Sequence, residues 1–183
     1  MKVAVCDYGA GNVRSVVAAL ARAGADAAPT ASSQAVAEAD LAVLPGVGAA
    51  ASAMHALRAR GLDRALVDRV EHERPVLGIC LGLQLALEAS EEDGGVEGLG
   101  VLPGRAIRLH AARVPRIGWA VVEPMGEAFW FAHSYVADTP AASAWSEGVV
   151  AAAGRGSFRG VQFHPEKSGP AGARFLERCL CRG

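Results

Sequence analysis

Val76-Leu77-Gly78-Ile79-Cys80-Leu81-Gly82-Leu83-Gln84-Leu85-Ala86-Leu87-Glu88 opens as a short apolar run and continues at once with apolar residues at helical spacing. Four such residues after Arg74-Pro75 read as a short buried strand, and Leu81 to Glu88 reads as the helix it feeds. Working outward, the unit recurs upstream. Leu62, Leu66, Val67 and Val70 mark a helix that Arg74-Pro75 stops. Before it, Asp40 leads into the strand Leu41 to Leu44, the glycine-rich Pro45-Gly46-Val47-Gly48, and an Ala-rich helical stretch holding Met54 and Leu57. The first unit is the strand Lys2 to Asp7, a turn over Gly9-Ala10-Gly11-Asn12, and a helix with Val13, Val16, Val17 and Leu20 on one face, ended by Gly24. Strands alternating with helices predict a parallel sheet covered by helices on both faces.

From about Leu99 the chain turns to extended segments: Ile117 to Val122, Phe129 to Phe131, Val149-Val150 and Gly160 to Phe163, before a last helix over about Ala171 to Leu180. The expectation is an α/β fold with a mixed central sheet, parallel in its first half and partly antiparallel later. The 183 residues suit one domain, 1–183, with no repeat and no low-complexity linker. Lys plus Arg (18) nearly balance Asp plus Glu (19), for a net charge of -1, so nucleic acid is not an expected partner. Met1 runs directly into strand-like residues, and no apolar run reaches the roughly 18 to 20 residues of a membrane span. A cytoplasmic location follows, and there Cys6, Cys80, Cys179 and Cys181 are expected as thiols. Cys179 and Cys181 lack metal-ligand spacing, so no metal is expected.

Three segments can carry chemistry. Gly78-Ile79-Cys80-Leu81-Gly82, at a strand-to-helix junction, has the form of a nucleophile elbow with Cys in place of Ser. Small residues on either side let the backbone turn sharply and present the thiol at the sheet's carboxyl edge, where a helix N-terminus favours thiolate. Gln162-Phe163-His164-Pro165-Glu166 ends an extended segment, where residues i and i+2 point to one side. His164 can then serve as the base and Glu166 as the carboxylate that orients it. In Pro45-Gly46-Val47-Gly48 the Val47 N–H can face a developing oxyanion, with the N–H of Leu81 as second donor. Gly9-Ala10-Gly11 begins like a dinucleotide fingerprint, but Arg14 occupies the third glycine position, and no P-loop occurs. A nicotinamide cofactor is therefore not expected.

Pro45 to Gly48, the Cys80 elbow with Gln84, and His164-Pro165-Glu166, in this order along the chain, resemble the class I glutamine amidotransferases, whose fold is flavodoxin-like. Asp7 to Asn12, Arg116-Ile117-Gly118-Trp119, His133-Ser134-Tyr135 and His164 to Ser168 are similar, more narrowly, to the glutaminase subunits of imidazole glycerol phosphate synthases. The resemblance implies a histidine-biosynthesis heterodimer. Its glutaminase hydrolyses L-glutamine, and ammonia passes to a (βα)8-barrel cyclase that joins it to a phosphorylated ribulosyl aminoimidazole intermediate. By position it implies the triad Cys80, His164 and Glu166, and oxyanion donors Val47 and Leu81. Glutamine contacts would come from Gly46, Gln84 and the backbone of Ser134, Tyr135 and Val136, the partner face would include Asn12, Trp119 and Lys167, and no metal or organic cofactor would serve this half of the reaction. Ala120 departs from the Asn common after Gly-Trp. Two enzyme alternatives stay open: a glutaminase of the pyridoxal phosphate or anthranilate type, and a γ-glutamyl hydrolase-like or peptidase-like cysteine hydrolase. A flavodoxin-like interaction module with an inert Cys80 is the non-enzymatic one.

Overall fold

A computed structural model describes residues 1–9 and 11–181, so Ala10 in the expected first turn and residues 182–183 lie outside the described residues. In chain order the elements are β1 (Lys2–Cys6), α1 (Val13–Arg22), β2 (Asp26–Thr30), α2 (Ser33–Glu38), β3 (Leu41–Leu44), α3 (Ala50–Ala59), α4 (Leu62–Glu71), β4 (Val76–Ile79) and α5 (Leu81–Leu85). There follow β5 (Ala89–Ser90), β6 (Val96–Glu97), β7 (Arg105–Arg108), β8 (Arg116–Val122), β9 (Glu127–His133), β10 (Tyr135–Asp138), β11 (Ala142–Ser146), β12 (Val149–Arg155), β13 (Phe158–Val161) and α6 (Gly169–Leu180).

The central sheet has the order β11-β12-β13-β4-β3-β1-β2. It is parallel from β2 through β13 and antiparallel at β12 and β11, the mixed arrangement expected. One apolar layer packs α2 to α5 against one face through Val36, Met54, Leu57 and Leu66. The other packs α1, α6 and β9 against the opposite face through Val16, Leu20, Phe129, Phe163 and Phe175. Helices therefore cover both faces, as the alternating pattern requires.

The order places β13, β4, β3 and β1 side by side and parallel, so the loops after all four strands emerge at one sheet edge. That edge is where open α/β sheets carry their sites. Segments as distant as Asn12, Val47, Cys80 and His164 meet there because of strand order and not because of sequence spacing.

Three local expectations are corrected. The helix expected to Glu88 stops at Leu85. The carbonyls of Leu85, Ala86 and Leu87 accept instead from the N–H groups of Leu99, Leu102 and Gly100, at 2.8, 2.9 and 3.1 Å, so tertiary hydrogen bonds replace further helical ones. β2 and α2 were not anticipated. Asp26 to Thr30 is an edge strand without an apolar run, held by its parallel register with β1, and the single-turn α2 forms on the Ser32 cap, whose Oγ accepts from Ala35 N at 3.2 Å.

Arg69 ties this half of the fold together. Its guanidinium is buried and donates to the carbonyls of Val36, Ala37 and Ala39 at the end of α2, and to Asp40 and Pro75 just before β3 and β4, at 2.8 to 3.2 Å. Burial, reinforced by Arg74, lowers its pKa to about 10, against opposing effects of Cys6 and Asp40. Of these five acceptors, Ala37 O and Ala39 O also accept from Arg74 and Pro75 O from Ala42 N, so it is the carbonyls of Val36 and Asp40 that rely on Arg69. Arg69→Met is expected to lower unfolding free energy by about 3 kcal/mol or more, since each orphaned buried acceptor costs roughly 1–3 kcal/mol. Urea unfolding checks this, and a loss below about 1 kcal/mol would contradict the staple role.

Candidate active site

Cys80 follows β4 directly with φ 52° and ψ -106°, a conformation disfavoured for a non-glycine residue. Its N–H donates to Val161 O at 2.7 Å, which continues the β4–β13 ladder one residue past the strands. The turn is possible because α5 lies almost against β3: a Cβ on Gly82 would collide with Leu44 O, and one on Gly46 would collide with Leu81. The elbow read from the sequence is therefore present, although α5 has only five residues. The local donors at its start, unpaired within any helix, matter more here than a macrodipole.

His164 is buried, and its Nδ1 lies 2.9 Å from Glu166 Oε1, with both side chains sealed from solvent. The route to this contact differs from the one expected. Pro165 to Lys167 is a 3₁₀ turn following an extended His164, so the pair meets by chain reversal and not by strand alternation. Glu166 Oε1 also accepts from Asn12 Nδ2 at 3.2 Å. Asn12, expected to face a partner, thus turns inward onto the carboxylate. Burial disfavours a charged His164 ring, but hydrogen bonds to the Cys80 sulfur and to Glu166, together with the Coulombic attraction of both, outweigh it and raise its pKa to about 9. The imidazole therefore keeps its proton at neutral pH beside the sulfur.

A cavity of about 260 Å³ opens on Cys80, lined by Val47, Gly48, Leu81, Gln84, Glu92, Pro115, Ile117, Ala132, His133, Ser134 and Tyr135. Of the expected contacts, Val47, Leu81, Gln84, Ser134 and Tyr135 are on its wall. Gly46 and Val136 are not: Gly46 is packed tightly against Leu81, and Val136 is buried within β10. Trp119, on β8, and Lys167, in the turn after His164, are both exposed. A larger cavity, about 620 Å³, lies between β12–β13 and α6, and none of the candidate residues lines it.

The loop Pro45 to Gly48 is held at both ends. Tyr8 Oη donates to Pro45 O at 2.8 Å, and Ala50 N donates to Glu92 Oε2 at 2.8 Å. Between these anchors Gly48 has φ +99° and Val47 is exposed to the cavity. Sequence reading missed Glu92 and His133 as wall residues. Glu92 sits in an acidic, glycine-flanked turn that looks like a solvated surface, while burial lifts its carboxyl above the ordinary range, helped by Asp93 and opposed by the Ala50 N–H. His133 stood within a quoted motif without a role. Burial, then Arg116 and His164, push its pKa down to about 4 against a hydrogen bond to Tyr135 O, so it is neutral.

The family described as "Glutamine amidotransferase class-I" matches residues 4–182. The "Imidazole glycerol phosphate synthase subunit HisH" of Carboxydothermus hydrogenoformans is 42% identical over 190 residues, covering 94% of this chain and 96% of its own. The protein of the same description from Mycolicibacterium paratuberculosis is 43% identical over 201 residues, covering 98% and 97%. Among solved structures, a "glutamine amidotransferase" superposes with a TM-score of 0.81 over 98% of each chain at 21% identity, a likeness of fold.

Proposed function

The chain belongs to the class I glutamine amidotransferases, and from that premise we propose that Cys80, His164 and Glu166 hydrolyse the side-chain carboxamide of L-glutamine. The observation that carries this reading is the buried His164–Glu166 pair set against a strained, cavity-facing cysteine. The thiolate adds to the carboxamide carbon, and the oxyanion is held by the N–H of Leu81 and, when the loop is turned toward it, of Val47. His164 gives its proton to the departing ammonia, leaving a γ-glutamyl thioester. It then takes a proton from the water that attacks the thioester, so sulfur leaves as thiolate and glutamate is released.

The cavity is smaller than the roughly 300–1,000 Å³ of drug-sized pockets, which suits an amino acid. Both hydrogens of Gln84 Nε2 are engaged, with Tyr135 O at 2.9 Å and Gln162 Oε1 at 3.1 Å, so Oε1 is the atom Gln84 can offer substrate. Together with the Glu92 carboxylate this makes an acceptor end for the α-ammonium group.

The ammonia is delivered, in this reading, to a (βα)8-barrel cyclase subunit in histidine biosynthesis, in a cytoplasmic heterodimer. Ile117, Trp119 and Val121 alternate along β8 and are 64%, 55% and 51% exposed, an apolar row that water is a poor cover for. Ile117 is also a wall of the catalytic cavity, so a partner seated on this row would close over the thiol. No helix among the described residues is long and apolar enough to cross a membrane. Glycines on both sides of Val47 let its peptide bond adopt two orientations at small steric cost. The isolated chain is expected to turn over slowly, and the ligand-loaded cyclase to raise kcat by about 10²- to 10³-fold, the worth of one oxyanion donor. Steady-state kinetics of ammonia release with and without the loaded cyclase tests this. Full kcat in the isolated chain, or a change confined to KM, would refute the switch.

A further inference from the structure

Gln162, the residue after β13, is fully buried, and the reaction as described gives it no part. Its orientation can be read from the far end of a hydrogen-bond chain. A backbone carbonyl only accepts, so the Gln84 atom 2.9 Å from Tyr135 O is the amide nitrogen. That nitrogen's other hydrogen meets Gln162 at 3.1 Å, so the Gln162 atom there is oxygen. The remaining Gln162 atom is therefore the NH2 nitrogen, and it stands 3.5 Å from Cys80 Sγ.

We propose that Gln162 is a further catalytic residue, a fixed N–H donor that holds the Cys80 sulfur as thiolate in line with the substrate cavity. A thiolate wants donors and a thiol wants an acceptor. Among the described residues, the backbone acceptor this sulfur meets is Ala132 O, at 3.8 Å, whereas Gln162 and His164 both present N–H groups. The other titratable groups facing the sulfur are Tyr8 from the loop after β1, Glu166 through His164, and His133 and Glu92 on the cavity wall. Only Gln162 among these donors keeps its hydrogens at every pH, so its contribution does not titrate away.

The inference rests on Cys80 being the nucleophile, and the test separates the two claims. Iodoacetamide alkylation is followed against pH in the wild-type chain and in Gln162→Met and Gln162→Leu, with the label located by peptide mass spectrometry and folding checked by circular dichroism. Losing a hydrogen bond to a charged group should raise the Cys80 alkylation midpoint by about one unit or more. A more basic thiolate is intrinsically more reactive, so the limiting rate at high pH should rise by about 3-fold per unit. A purely packing role would move neither midpoint nor limiting rate, and an unmoved midpoint in a folded variant overturns the proposal. Should neither variant fold, the wild-type chain decides: the Gln162 side-chain amide resonance must shift with the same midpoint as Cys80 alkylation, and a resonance indifferent to that titration overturns it. If wild-type Cys80 reacts no faster than exposed Cys181, the nucleophile reading itself fails.

Discussion

Cys80→Ala is expected to remove ammonia release from glutamine, by a factor on the order of 10⁴ or more, while the chain stays folded. No other cysteine can substitute, because Cys6 lies in the core, where burial pushes its thiol pKa up to about 12 against the lowering effect of Arg69. Loss of a covalent nucleophile leaves only binding and the oxyanion donors, whose residual catalysis is small beside that of the intact set. Stability should change little, because the φ of 52° at Cys80 is as unfavourable for alanine as for cysteine. Cys80→Gly carries the argument further. Glycine accepts positive φ freely, so that variant should be inactive yet more resistant to unfolding than Cys80→Ala, by about 1 kcal/mol. Glutaminase assays and urea unfolding of the two variants check both halves; substantial activity in either would end the assignment of Cys80.

His164→Asn should cost about 10²- to 10⁴-fold in kcat, the usual worth of a general acid–base group. Glu166→Gln should cost less, because the ring remains beside the sulfur and loses only its carboxylate. The pH profile distinguishes these roles. With its folded pKa raised to about 9, His164 holds the proton that ammonia needs up to that pH and loses it above, so kcat/KM should fall on the alkaline side as pH rises through about 9. Glu166 is one of the groups that raise this pKa, and its replacement by glutamine should shift the alkaline limb to lower pH. A limb that stays in place in Glu166→Gln would show that the carboxylate does not support the charged ring.

The strand-turn-helix reading of Val76 to Glu88 was enough to place the elbow at Cys80, because the elbow is local: a four-residue apolar strand, small residues on both sides of Cys80, and a helix beginning at the next position. The same holds for the His164–Glu166 contact, which spans two residues, although a 3₁₀ turn delivers it where strand alternation was expected. Helix length was not legible. Leu81 to Glu88 has helical spacing throughout, yet the carbonyls past Leu81 to Leu85 find partners 13 to 16 residues downstream at Leu99 to Leu102. An apolar period records what is buried and cannot say which backbone groups will compete for a carbonyl.

Residue type and short-range spacing therefore determined the fold class, the proposed triad and the glycine loop, since each depends on backbone conformations that a few neighbours set. Strand order decided the rest. Only the adjacency of β13, β4, β3 and β1 brings Asn12 onto Glu166, Tyr8 onto Pro45, and Gln162 onto Cys80. Glu92, after β5, and His133, at the end of β9, reach the cavity from outside the central sheet, from segments whose sequence looks like surface turn and strand end. Their identities were visible along the chain, but a side chain's charge and hydrogen-bond partners are set by what stands across from it, and that is fixed by packing between segments far apart in sequence.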